Sequence, residues 1–217
     1  MTFKLTETLL KQHKDDLAYF VSNHDLTKFV KGASEEWVRY GELDKLYDSM
    51  HELLPKPMMY KFILTEFEPN KGHWCIIMRY ANTVEWFDPY GSNPTHTLNF
   101  ISRAMNKKLD NTKSDITDLI KTVQSPDKFI YNKTAFQTEA DGVNTCGKHC
   151  LLRLQMMIMG HDLKSYAAFM KQMRKKMNMP YDIVVSTFIP LKEDTQHETK
   201  VKRETLADIN FNWLKRV

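Results

Sequence analysis

Long apolar runs are missing from this sequence. The longest, from Leu151 to Ile158, is broken by Arg153 and Gln155, well short of the roughly 20 apolar residues a membrane-spanning helix needs. Cysteine is scarce as well: Cys75, Cys146 and Cys150 make an odd count of three. Nothing at the charged N-terminus resembles a signal peptide, so a reduced, intracellular protein without disulfide staples is expected. The chain also lacks a paired C-x-x-C knuckle, an internal repeat and any Gly-Gly pair. Without Gly-Gly, processing of the chain by an activity that cuts after such pairs is not expected. Charge of one sign is not in large excess, the net being +4, too mild to mark a nucleic-acid binder on its own.

What is there suffices for a core. A chain of 217 residues can bury enough apolar surface to fold as one domain. Residues 5 to 54 read as mostly helical, with Leu9, Leu10, Leu17, Phe20, Val21, Trp37, Leu43, Leu46, Met50, Leu53 and Leu54 at helical spacings, and Pro55 and Pro57 end the segment. Three strands follow, Tyr60 to Phe67, Trp74 to Tyr80 and Val84 to Asp88. The turn-like stretches Glu68 to Gly72 and Ala81 to Thr83 separate them, so an antiparallel meander is expected. Helices are predicted over Thr97 to Met105, Ile116 to Val123, Gly147 to Met159 and Leu163 to Met177, and strands over Lys128 to Tyr131 and Ile183 to Ile189. From Lys192 to Glu204 the chain is charged and nearly devoid of apolar residues, which predicts a linker, and Leu206, Ile209, Phe211, Trp213 and Leu214 form a last apolar cluster. The expected organisation is one domain over 1–191, with a helical segment 1–57 and a core 58–191, followed by a charged tail 192–217.

The pentapeptide Asn144-Thr145-Cys146-Gly147-Lys148 places a cysteine where the predicted apolar helix starts. A thiol there faces unpaired backbone N–H groups and the positive end of the helix dipole, surroundings that make a cysteine a nucleophile. Gly147 adds no side chain to obstruct approach. His73 opens the second predicted strand and Asp88 closes the third, so antiparallel pairing across a short turn brings both to one end of the sheet. Each residue has an ordinary alternative. Buried cysteines are commonly core residues, a His beside a Trp is commonly a strand histidine, and Asp-Pro commonly ends a strand. The ordered set His73, Asp88, Gln137 and Cys146 is more specific, because thiol hydrolases need a base, a carboxylate that orients it and an oxyanion donor beside the nucleophile.

Cys146, His149 and Cys150, with Cys75 and His161, also suggest a metal site. Without a C-x-x-C pair, and on a helix apolar on most faces, no metal centre is expected. His149 and Cys150 are expected on the exposed and buried sides of the helix's first turn. Asn132-Lys133-Thr134 matches a glycosylation acceptor but is discounted, since no secretory segment accompanies it. Lys171, Arg174, Lys175 and Lys176 form a basic helix face, read first as solvated and second as an accessory contact for DNA.

Gly72-His73-Trp74, Phe87-Asp88-Pro89-Tyr90-Gly91, Gln137 and Cys146-Gly147-Lys148-His149-Cys150, in that order, resemble the adenovirus proteinase (adenain) and the SUMO-protease-like clan of cysteine peptidases. The resemblance spans about half the chain and is nearest the viral branch, which includes maturation proteases of virophages and other elements related to large DNA viruses. It implies an α+β, adenain-like fold whose central mixed or antiparallel sheet is flanked by helices, with the nucleophile at the start of a buried helix. By the same resemblance Cys146 is the nucleophile, His73 the general base and acid, Asp88 its orienting carboxylate, Gln137 the oxyanion donor and Trp74 part of the roof of the substrate groove. Cleavage after Gly-Gly or Gly-x in capsid precursors is implied, with no cofactor beyond activation by DNA or a peptide, in the host cytoplasm or virion. Gln137 stands nine positions before Cys146, a few more than the clan's usual spacing, so the loop Thr138 to Thr145 must bulge; Gln124 is a poorer substitute. Deconjugation of ubiquitin-like modifiers, acyl transfer from acetyl-CoA and a non-enzymatic scaffold are the alternatives.

Overall fold

The computed structural model describes residues 5–30, 36–113 and 115–191; the tail and its apolar cluster lie outside them. Among the described residues, five strands form one mixed sheet, α+β in class: β1 (Trp37–Arg39), β2 (Met59–Glu68), β3 (Lys71–Tyr80), β4 (Thr83–Phe87) and β5 (Lys128–Tyr131), in that spatial order. β2, β3 and β4 are the expected antiparallel meander, and β1 and β5 flank it in parallel pairing. From Gly72 to Met78 the central strand β3 is continuously buried, because helices cover both faces of the sheet.

On one face Phe62, Leu64, Trp74, Ile76, Met78 and Phe87 pack against α8 (Cys146–Ile158), α9 (Leu163–Met177) and α10 (Tyr181–Phe188). On the other, Ile63, Cys75, Ile77, Val84 and Trp86 meet Leu43 of α4 (Leu43–Leu46), Met50 and Leu53 of α5 (Met50–Leu53), and Ile116 and Leu119 of α7 (Ile116–Lys121). α8 is buried on every side through its first twelve residues, so its polar members need interior partners. Arg153 finds one in Glu85, in a fully buried pair with contacts of 2.8 and 2.7 Å. Lys148 reaches the carbonyl of Asp16, 2.5 Å away.

Several expectations are corrected. The segment Ile183 to Ile189 is the helix α10, not a strand. Its backbone turns immediately after Pro180, whose carbonyl accepts from Ile183 and Val184 N–H groups. β-Branched residues cost a few tenths of a kcal/mol each in a helix, whereas burying such a side chain is worth about 1.5–3 kcal/mol, so packing decides. The N-terminal segment is mostly helical, as expected, but Trp37, placed on a helical spacing, lies in a strand. It holds α1 (Glu7–Gln12), α2 (Lys14–Ala18), α3 (Asn23–Phe29), α4 and α5, all short, and it supplies the edge strand β1. The helix expected from Thr97 begins only at Arg103, as α6 (Arg103–Lys108), because Ser102 caps it by accepting from the Met105 N–H at 3.3 Å. His149 is fully buried rather than exposed, enclosed by Phe136, Tyr166 and Asp182.

Candidate active site

Strand pairing aligns Ile76 with Phe87, so Asp88, the next residue after β4, emerges at the end of the sheet where His73 begins its run in β3. The two side chains meet there, with His73 Nε2 2.8 Å from Asp88 Oδ1, and both are almost fully buried. The Cys146 side chain is close enough to the same imidazole to help raise its pKa, and with Nε2 engaged by Asp88, Nδ1 is the nitrogen left to face a partner. Thiol, imidazole and carboxylate are thus gathered from α8, β3 and the residue after β4.

The imidazole is held from several sides. Tyr90 stacks on it at 4.4 Å between centroids and an angle of 15°, and Phe100 meets it edge-on at 5.6 Å. Asp88 is fixed in turn, its Oδ1 accepting from the Tyr90 N–H at 2.8 Å. Asn132 braces the backbone of Asp88 at both ends, accepting from its N–H and donating to its carbonyl at 2.8 and 2.7 Å. Sequence reasoning met Asn132 only as a glycosylation triplet; buried and bonded in this way, it is a support for Asp88. Burial acts to lower the His73 pKa, but the Asp88 carboxylate, through charge and hydrogen bond, and then Cys146 act the other way and prevail, raising it from 6.5 to about 10. The imidazolium is thus the form this site favours at neutral pH.

Gln137 is buried, its Nε2 donating to the carbonyl of Val143 at 3.0 Å, so its amide lies over the loop that leads into Cys146. Its Oε1 is buried without a hydrogen-bond partner. The backbone N–H groups of Phe136 and Gln137 both donate to the carbonyl of Pro89, at 2.8 and 2.9 Å, which ties this loop to the residue after Asp88. Between Thr138 and Thr145 the chain turns at Asp141 and Gly142, and the Val143 N–H donates to the Ala140 carbonyl at 3.2 Å.

Trp74 points to the opposite face of β3 from His73 and is enclosed, 4% exposed, with Nε1 donating to the Val21 carbonyl at 2.7 Å. The extended segment between α2 and α3 crosses here. Just before it, the Leu17 and Ala18 carbonyls at the end of α2 accept from the N–H and side-chain amide of Asn144, at 2.7 and 2.8 Å. The Val21 side chain rests on Gly147 so closely that a Cβ added to Gly147 would stand 2.4 Å from Val21 Cβ. Cys146 itself is 5% exposed.

His73, Cys75 and Asp88 also present donor atoms within 4.8 Å of one another. The His73 and Asp88 atoms are 2.8 Å apart, closer than the roughly 3.3 Å that tetrahedral zinc would impose on ligands about 2.0–2.2 Å from the ion. This spacing suits a shared proton rather than a metal. Of the other residues considered for metal, Cys150 donates its thiol to the carbonyl of Trp74 and His149 faces Tyr166. On α9, Lys171, Lys175 and Lys176 are exposed, whereas Arg174 lies over the Tyr181 ring at 4.6 Å.

An uncharacterized protein of Sputnik virophage, V9, is 32% identical to this chain over 135 residues, which cover 62% of the chain and 74% of the relative. The chain belongs to the V9 family. No protein-family model and no solved structure matches it. V9 is itself uncharacterized, so membership of its family relates the chain to a virophage protein without bringing a reaction with it.

Proposed function

We propose that this V9-family protein is a cysteine endopeptidase of adenain-like fold that trims viral structural precursors after small residues. The observation that carries this reading is the buried His73–Asp88 hydrogen bond with Cys146, at the start of a buried helix, beside the same imidazole. Cys146 sulfur attacks the scissile carbonyl as thiolate, and the His73 imidazolium gives its proton to the departing amine. The neutral imidazole then takes a proton from water, which attacks the acyl-enzyme and releases a carboxylic acid and the free thiol. Asp88 stabilises the imidazolium and fixes the ring. The Gln137 amide and the first-turn N–H groups of α8 are the donors for the oxyanion, a role worth on the order of 2.7–4 kcal/mol of barrier per donor.

Val21 against Gly147 and against the Trp74 indole supports a preference for small residues, because a bulky side chain before the scissile bond would have to displace that segment. The exposed Lys171, Lys175 and Lys176 are a surface for non-specific contact with DNA, which would raise precursor cleavage at low salt and lose its effect at high salt.

The test is cleavage of co-expressed virophage capsid precursors by the protein with an intact thiol. Cuts after small residues that require Cys146 support the proposal. Precursors left intact while ubiquitin-like modifier fusions are cut would replace it with deconjugation.

A further inference from the structure

The carboxylate of Asp182 sits in the first turn of α10, fully buried, and no step of the proposed reaction uses it. It collects donors from both ends of the loop between Gln137 and Cys146. Thr138 gives its N–H to both oxygens, at 3.3 and 3.2 Å, and its hydroxyl to Oδ2 at 2.6 Å. Thr145 gives its hydroxyl to Oδ1 at 2.6 Å. Thr138 directly follows Gln137 and Thr145 directly precedes Cys146, so one carboxylate holds the neighbours of both the oxyanion donor and the nucleophile.

We propose that Asp182 is a positioning residue that clamps the loop between Gln137 and Cys146 into the geometry the oxyanion site needs, an inference that rests on the peptidase reading. Two further observations support it. Thr145 occupies the N-cap position of α8 but makes no side-chain cap; its hydroxyl is drawn to Asp182 instead. The N–H groups beside Cys146 are thereby spared the hydroxyl acceptor that an N-cap threonine ordinarily offers. The unusually long spacing between Gln137 and Cys146 also needs a constraint that a shorter loop would supply through its own stiffness, and a buried carboxylate receiving charge-assisted bonds provides it. His149 Nε2, 3.9 Å from Asp182 Oδ1 and without a hydrogen-bond partner, lines the same pocket without closing the clamp.

The test combines kinetics with hydrogen exchange on the full chain. Asp182→Ala is expected to lower kcat by up to about 100-fold, the scale of a lost oxyanion donor, with KM little changed. Asp182→Asn, which keeps the shape and one acceptor, should fall between the two, and it serves as the reading if the alanine variant fails to fold. In a Gln137→Ala background the same substitution should have much less effect, because the donor it positions is already gone. Amides from residues 138 to 145 should exchange faster in Asp182→Asn while the rest of α8 stays protected. Equal kcat losses with and without Gln137, or unchanged exchange in the loop, would overturn the clamp. Accelerated loop exchange in a protein whose wild type cuts no peptide would instead leave the clamp standing and remove the peptidase reading.

Discussion

His73 Nε2 and Asp88 Oδ1, separated by 15 residues in sequence and by 2.8 Å in space, are joined because an antiparallel turn between β3 and β4 returns the chain to the end of the sheet from which it started. The pair makes the protein's stability depend on pH in a defined window. With the folded pKa of His73 raised from 6.5 to about 10, chiefly by Asp88 acting against burial, the folded state holds an extra proton between those values. The resulting stabilisation is complete below pH 6.5 and is lost as pH rises through about 10. Asp88→Asn leaves burial unopposed and should remove this decline. Urea unfolding of the two proteins at intervals from pH 6.5 to 10 measures it.

The same substitution addresses catalysis. With Asp88→Asn the imidazolium loses its partner, and kcat should fall by on the order of 10²–10⁴. Asn132→Ala should produce a smaller loss of activity, together with about 1–3 kcal/mol of destabilisation from the Asp88 backbone groups it leaves unpaired in the interior. Steady-state kinetics and denaturant titration of the pair of variants separate these effects.

At acid pH a different histidine controls stability. Burial, the largest influence on His149, lowers its pKa from 6.5 despite the nearby Asp182. The unfolded chain therefore takes up a proton that the folded protein resists, and stability falls as pH drops below 6.5. His149→Phe should flatten that acid limb in the unfolding free energy, whatever its effect at neutral pH.

Gly147 is fixed by its neighbour rather than by its own backbone. Gly147→Ala places a Cβ 2.4 Å from Val21 Cβ, an overpacking expected to cost roughly 1–3 kcal/mol and to slow turnover by shifting Cys146. Val21→Gly, which removes the opposing carbon, should restore much of the loss in the double variant. Thermal melts and kcat/KM for the four proteins of the cycle check the coupling.

Arg153 of α8 and Glu85 of β4 are both fully buried, and Tyr80 donates its hydroxyl to the same carboxylate. Arg153→Met leaves Glu85 charged and without its ion-pair partner, at a cost of about 3–5 kcal/mol. Adding Glu85→Gln should recover a large part of it. Denaturant midpoints decide, and a single variant as stable as wild type would contradict this description of the core.

Much of this arrangement is legible in the residues. Continuous apolar runs bounded by turn residues mark β2 to β4, and their pairing alone places His73 and Asp88 together. The Cys146 helix is visible because its apolar run begins right after a polar, glycine-containing stretch. β1 escapes such reading because three residues cannot show a period, and α10 because β-branched Ile183, Val184 and Val185 favour strands until packing overrides them. Asn132 and Asp182 were missed for another reason. They act 44 positions from Asp88 and 37 or 44 positions from the threonines they serve, and no local pattern encodes such distances. The Asn132 triplet even points elsewhere.

The most direct measurement is cleavage-site mapping by mass spectrometry on a peptide library, comparing the wild-type protein with Cys146→Ala. Cuts after Gly-Gly or Gly-x that disappear with the thiol are the predicted result. Cuts that persist in Cys146→Ala, or a wild type that leaves every peptide intact in the presence of DNA and capsid-derived peptides, would contradict the assignment of a peptidase centred on Cys146.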